Sequence, residues 1–330
     1  LEKGKISIVV GTHALIQEDV VIKRLGLVII DEQHRFGVNQ RLSLIKKGWN
    51  PHFLAMTATP IPRTLSITYH GDMDLSIIDE MPKDRIPVTT KIIYPKRLPS
   101  VYNFIKDEVQ LGHQCMIIYP MVEESKKTDL QAAVDSYDLL KKSIFAGLNI
   151  GLVHGKMKSA DKDKIMQKFG ENKIQILVST TVVEVGVDIP NATVMLVEHA
   201  ERFGLTQLHQ LRGRVGRGSN RSFCILVCRK ENKNAKTRLD IMEKSTDGFL
   251  IADEDLKLRG PGEFLGKRQS GFFKFKIANM ITDGTIIKQA RDAAIKIIDD
   301  DPSLEGEEYE NMKDVFLTNY AEQINSIFLS

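Results

Sequence analysis

Asp31 and Glu32 close the run Val28-Ile29-Ile30-Asp31-Glu32-Gln33-His34, and far downstream arginines cluster in Gln210-Leu211-Arg212-Gly213-Arg214-Val215-Gly216-Arg217. A short β-branched run ending in two carboxylates reads as a buried parallel strand. It delivers both acids to the carboxyl edge of a sheet, where α/β proteins place their ligand sites. That suits Mg²⁺ and a water nucleophile, because hard Mg²⁺ is held by one or two carboxylates plus substrate phosphates. Guanidinium forks match phosphate oxygens and stabilise charge that develops during phosphoryl transfer. The two clusters together predict an NTP-driven motor.

The elements that must position these residues follow from the pattern of apolar runs. Short runs alternate with longer segments of helical spacing, as in βα units of a mostly parallel sheet. Strands are expected at 6–10, 27–30 and 53–56, then, after the Pro- and charge-rich linker Met81-Pro82-Lys83-Asp84-Arg85-Ile86-Pro87, at 114–119, 150–153, 174–178, 194–197 and 223–227. Residues 159–169 read as a packing helix, with Ile165, Met166 and Phe169 on one face. Beyond Lys230 the sequence turns helical, with stripes Ile286, Ala290, Ala294, Ile297 and Met312, Phe316, Tyr320, Ile324, Ile327 expected to make core contacts.

The chain has 330 residues, enough for two domains and an appendage, and at 42% hydrophobic and 27% charged it has an ordinary globular composition. No apolar stretch approaches the roughly 18–20 residues that span a bilayer, so a membrane role is not expected. Cys115, Cys224 and Cys228 lie in or beside apolar runs and read as reduced, buried thiols; the Cys224–Cys228 spacing lacks the second ligand pair a zinc site needs. Net charge is only +3, so any nucleic-acid footprint must be local. The segment from Arg202 to Lys230 offers seven basic residues and no acidic one.

Two more strand ends carry small hydroxyl residues and glycine, which let a backbone approach phosphates closely. They are Ala55-Met56-Thr57-Ala58-Thr59-Pro60 and Val178-Ser179-Thr180-Thr181, the latter running on to Glu184, Gly186 and Asp188.

With these residues in order the chain resembles the superfamily 2 helicases and translocases, across nearly its whole length. Asp31 to His34 is similar to the Walker B box and Thr57-Ala58-Thr59 to the coupling motif. Thr180 to Asp188 resembles the fifth motif and Gln210 to Arg217 the sixth. Within that superfamily it resembles the RecG family in Gly11-Thr12-His13-Ala14-Leu15-Ile16-Gln17, His34-Arg35-Phe36-Gly37-Val38, Pro60-Ile61-Pro62-Arg63-Thr64-Leu65 and Leu205-Thr206-Gln207-Leu208-His209-Gln210. Asp247-Gly248-Phe249, Arg259-Gly260-Pro261-Gly262-Glu263 and Gln269-Ser270-Gly271 resemble the TRG element that RecG shares with the transcription-repair coupling factor.

The resemblance implies RecA-like parallel-sheet domains, the first truncated and the second complete, followed by a helical region. Residues 1–84 would be the carboxyl-terminal part of the first domain, 85–232 the second, and 233–330 the TRG hairpin and carboxyl-terminal helices. ATP and Mg²⁺ are the implied cofactors. Asp31 would hold Mg²⁺ through water, Glu32 orient and deprotonate the attacking water, Gln210 sense the γ-phosphate, and Arg214 and Arg217, on one helical face, act as arginine fingers. Gly186 and Asp188 would complete the nucleotide site. Gly11, Thr12, His13, His34, His154, Thr180 and Thr181 would contact DNA, Thr57 and Thr59 couple nucleotide state to grip, and Arg259 and Gln269 relay closure to duplex movement. The implied partner is branched double-stranded DNA such as forks and Holliday junctions. Single-stranded DNA-binding protein is a second candidate, and the setting is a monomer in the bacterial cytoplasm, at the nucleoid.

One part of the family pattern is not in this sequence. No Gly-Lys is followed by Ser or Thr, since Gly4-Lys5, Gly155-Lys156 and Gly266-Lys267 precede Ile6, Met157 and Arg268. The opening Leu1-Glu2-Lys3-Gly4-Lys5, with no initiator Met or apolar signal core, reads as an internal piece of a longer protein that would carry the phosphate loop. The chain alone is therefore expected to hydrolyse ATP poorly. A non-catalytic DNA- or protein-interaction module and the transcription-repair motor are the alternative readings.

Overall fold

The computed structural model describes residues 1–33, 36–58, 74–83, 85–121, 126–180, 189–259 and 283–328. The chain folds as two compact units, Leu1–Thr59 with Thr285–Ser330, and Pro60–Gly284.

In the first unit β1 (Leu27–Ile30) and β2 (His52–Ala55) pair in parallel, Leu27 opposite His52 and Ile30 opposite Ala55, with α1 (Val38–Ile45) between them in sequence. Val28 and Ile30 are buried, while Leu27 and Ile29 are each 54% exposed. The strand is parallel as read, but its burial is one-sided. Successive side chains point to opposite faces, and among the described residues only one face is covered. Residues 6–10 form no strand, and Ile8 and Val10 are 82% and 93% exposed. A β-branched run becomes a strand only when a neighbour takes its backbone hydrogen bonds, and the two-stranded sheet of this unit does not extend to it.

The second unit is built on six parallel strands, β3 (Thr89–Ile93), β4 (Gln114–Tyr119), β5 (Ile150–Val153), β6 (Ile176–Thr180), β7 (Ala192–Val197) and β8 (Phe223–Val227), in the order β3-β8-β7-β4-β6-β5. Helices cover both faces. On one side α2 (Leu98–Gln110) and α3 (Lys126–Leu139) bring Val101, Ile105 and Ala133 onto Cys115, Ile117, Val178 and Leu196. On the other, α4 (Ser159–Gly170) and α5 (Leu205–Arg212) set Phe169, Leu205, Leu208 and Leu211 against Met116, Ile118, Leu177 and Met195. Strands sealed on both faces read as continuous apolar runs, which is why 114–119 and 223–227 were legible. The strand expected at 174–178 lies two residues later. β3 was not expected; its Thr-Thr-Lys-Ile-Ile sequence alternates like an edge strand and among the described residues pairs only with β8.

Two further helices, α6 (Lys233–Lys244) and α7 (Gly248–Arg259), belong to this unit and pack on α5, with α6 also against β3. All three cysteines are buried here and free of disulfides. Burial raises each thiol, Cys224 to about 12. The sole tryptophan, Trp49, lies in the first unit and is 97% exposed.

Helices α8 (Gly284–Asp300) and α9 (Glu310–Phe328) are helical as read, but most of the described side chains in their apolar stripes are exposed. Ile286 is 62% exposed, Ala290 and Ala294 are exposed, and Met312 and Phe316 are likewise open. Helical spacing aligns apolar side chains but does not supply a layer to cover them. The side chains of Tyr320, Ile324 and Ile327 lie outside the description.

Candidate functional site

The acidic turn is built by the ends of β1 and β2. Met56 extends the ladder by donating from its amide to Ile30 O at 2.8 Å, and its carbonyl accepts from Gln33 N at 3.0 Å. The residue preceding Thr57 therefore holds both sides of the Asp31-Glu32 pair. Between these anchors Glu32 takes a left-handed backbone, φ 51°, and its amide donates to Asp31 Oδ1 at 2.8 Å. Such a conformation is uncommon for a residue with a side chain and persists only where neighbours over-determine it. It turns the chain at Glu32, directly after Asp31. Asp31 is exposed and Glu32 partly buried. A solvent-facing carboxylate at a strand's carboxyl end suits a cation that keeps most of its waters, and this donor set fits Mg²⁺ held through water. Gly11, Thr12 and His13 are exposed and lead into a short 3₁₀ turn, His13–Ile16. They do not end a strand as expected, since residues 6–10 form none, but the His13 ring stacks on Phe36, just past the acidic turn, at 4.2 Å and 7°.

The arginine cluster is positioned by α5. Gly204 starts the helix, its amide accepted by Gln207 Oε1 at 3.0 Å, and Arg212 ends it. Arg214 and Arg217 lie beyond the last helical residue, so the expected shared helical face does not exist. Two glycines shape the loop that follows. Gly216 is left-handed, φ 73°, and a Cβ there would come within 2.6 Å of Val88 Cγ2; a Cβ on Gly218 would meet Pro190 O at 2.7 Å. Buried Val215 plugs this loop into the core, Arg85 Nε donates to Gly216 O at 3.2 Å, and Arg217 Nε to Gly213 O at 3.1 Å. Gln210 sits half-buried on the helix and Arg217 is exposed.

Three family models match: DEAD/DEAH box helicase over residues 1–67, helicase conserved C-terminal domain over 96–219, and ATP-dependent DNA helicase RecG, domain 3, C-terminal, over 245–320. The ATP-dependent DNA helicase RecG of a Synechocystis strain is 55% identical over 305 residues, 92% of this chain and 37% of that protein. The Bacillus subtilis RecG is 51% identical over 96% of this chain and 46% of its own length. The chain belongs to the RecG family. A solved RecG bound to a three-way DNA junction superposes with a TM-score of 0.67 at 46% identity, covering 87% of this chain and 37% of that one. This RecG-family chain thus spans less than half the length of these relatives.

Other residues expected to serve DNA in a RecG-family protein fall in varied settings. His154 follows β5; its Nδ1 is buried without a hydrogen-bond partner, and burial, then Lys162 and Lys156, lower its pKa. Thr180 does not stand at the surface. It is the last residue of β6 and fully buried, with an unpartnered hydroxyl, because the strand runs two residues past its expected end. The basic segment is also smaller than its sequence implies. Arg202 pairs with Asp129 at 2.8 and 2.9 Å, Arg229 with Glu198 at 2.8 and 3.1 Å, and Arg212 is buried. The two paired arginines line a cavity of about 220 Å³ at the sheet's carboxyl edge, with Tyr119, Ser136 and His199, where the strand order reverses between β4 and β7. His34, Thr59, Thr181, Gly186, Asp188 and Gln269, and the Arg259 side chain, lie outside the described residues.

Sequence reading missed what holds α5. Arg212 Nη1 donates to Met242 O at 3.0 Å and Ser245 O at 2.6 Å, while Nη2 lies 3.1 Å from His209 Nδ1 and 3.4 Å from Thr246 O. Burial and then Arg212 push the His209 imidazole down to about 4. It is neutral, and Nδ1 accepts. At the other end of α5, Thr206 Oγ1 donates to Asp255 Oδ2 at 3.0 Å, from a carboxylate 1% exposed. The available signal was Arg-Gly-Arg, in which the first arginine falls on the apolar side set by Leu205, Leu208 and Leu211.

Proposed function

We propose that this chain is the carboxyl-terminal motor part of a RecG-type, ATP-dependent translocase that remodels branched double-stranded DNA. Residues 1–84 would belong to its first RecA-like domain, 85–232 to the second, and 233–330 to the TRG hairpin and following helices. The observation that carries the reading is the acidic turn, in which Met56 ties the Asp31-Glu32 pair to the segment entering Thr57. ATP with Mg²⁺ supplies the phosphoryl group and its countercharge. Asp31 holds the ion's water shell, Glu32 orients and deprotonates the attacking water, and Gln210, Arg214 and Arg217 meet charge on the phosphates. Gly186 and Asp188 add to the nucleotide site. Thr57 and Thr59 pass nucleotide state to the backbone that grips DNA through Gly11, Thr12, His13, His34, His154 and Thr181, which gives affinity without reading sequence. Arg259 and Gln269 relay closure to the duplex. The protein works as a monomer in the bacterial cytoplasm, at the nucleoid, with single-stranded DNA-binding protein as a further partner.

The sequence holds no Gly-Lys-Ser/Thr loop, so the 330 residues alone should turn over ATP poorly. The test compares this chain with a fusion that adds, ahead of Leu1, the corresponding upstream segment of the Bacillus subtilis relative. Forked DNA should stimulate ATP turnover only in the fusion, and Glu32→Gln should abolish it with folding intact. Turnover retained in the Glu32→Gln fusion, or silence in the unsubstituted one, would overturn the assignment in favour of an interaction module.

A further inference from the structure

Arg212 is 4% exposed, and among the described residues none of its hydrogen-bond partners is a carboxylate. Taking a guanidinium out of water is expensive, and a buried charge is retained where several well-placed acceptors compensate it. Here the acceptors are the carbonyl of Met242 in the last turn of α6, those of Ser245 and Thr246 in the α6–α7 connection, and the neutral His209 one turn back on α5. Those carbonyls include ones that the end of α6 leaves without intrahelical partners. A leucine would fill the volume without the cost, so packing does not explain the arginine. Its position does: it is the last residue of α5, directly before the loop that carries Arg214 and Arg217. The amides of that loop in turn hang on the helix end, Arg214 N donating to Leu211 O at 2.9 Å and Val215 N to Arg212 O at 3.3 Å.

We infer that Arg212 is a positioning residue for the arginine loop: by spanning one carbonyl at the end of α6 and two of the α6–α7 connection it makes residues 213–217 and that segment move as one body. The Thr206–Asp255 hydrogen bond fastens the start of α5 to α7, so the helix is held at both ends against the same pair of helices. The inference rests on the proposed role of Arg214 and Arg217 in phosphoryl transfer.

Two substitutions separate positioning from simple capping of α6. Lysine keeps a positive charge for the helix end but, as a point charge, cannot span the carbonyls as the planar fork does; methionine removes the charge. In the 330-residue chain both Arg212→Lys and Arg212→Met should speed hydrogen exchange at the Arg214 and Val215 amides at least tenfold, while amides of β4 and β7 keep their protection. In the fusion described above, Arg212→Lys should lower kcat for DNA-stimulated ATP turnover at least tenfold with KM for ATP within twofold. If lysine restores both readings, Arg212 only caps a helix and the inference falls. If methionine opens the whole second unit, exchange in the lysine variant decides. Silence of the unsubstituted fusion would remove the functional reading, and exchange at Arg214 and Val215 would still judge the mechanical one.

Discussion

At the scale of single residues, backbone conformation rather than residue type decides the geometry of the arginine loop. Gly216 shows why. Its left-handed φ and the 2.6 Å approach to Val88 leave no room for a side chain, whereas Gly213 has an ordinary right-handed backbone and a Cβ there would meet nothing closer than 3.4 Å. Gly216→Ala should therefore lower stability by at least the roughly 1–2 kcal/mol of a left-handed L-residue, and Gly213→Ala should be tolerated. Thermal unfolding of both variants checks the contrast. Two glycines in an arginine row signalled that the row was no plain helix, but not that the helix stops before Arg214. Glu32 is the parallel case: its left-handed backbone, directly after Asp31, has no signature in the residue type.

At the scale of elements, apolar runs made β4, β5 and β8 legible, because strands sealed by neighbours leave that mark in sequence, and β1 carries the same mark although among the described residues only one of its faces is covered. Residues 6–10 carry the same mark and lack the neighbour, while β3 lies at an edge and carries a weaker one. The helix α5 was legible as an element, but its fastening was not, because Arg212 bonds to carbonyls, which have no sequence signature. That fastening has a pH consequence. The His209 imidazole ordinarily titrates near 6.5 and is held at about 4 in the folded chain. Below pH 6.5 the unfolded chain takes up a proton that the folded one refuses. Stability is thus full above 6.5 and declines as pH falls to about 4, by about 3 kcal/mol in all. Denaturant midpoints from pH 7 to 4 should fall, and His209→Gln should flatten the slope; an unchanged slope would refute this source.

At the scale of the whole molecule, the chain forms two compact units, each with its own sheet, and Ile286, Ala290, Ala294, Met312 and Phe316, expected to make core contacts, are exposed. The basic surface is a further correction. With Arg202 and Arg229 paired to carboxylates and Arg212 inside, the segment from 202 to 230 has fewer cations to offer phosphates than its sequence suggests. Lys230→Ala should weaken DNA binding and flatten its salt dependence, and Arg229→Ala should act mainly on stability; salt titrations of a fluorescent fork separate the two. The burial of every thiol in one unit, with the only indole exposed on the other, gives the chain two internal reporters. Alkylating reagents can clock the opening of the six-stranded unit alone. Indole emission, already that of a solvated ring, stays silent during that opening and changes when something comes to cover Trp49.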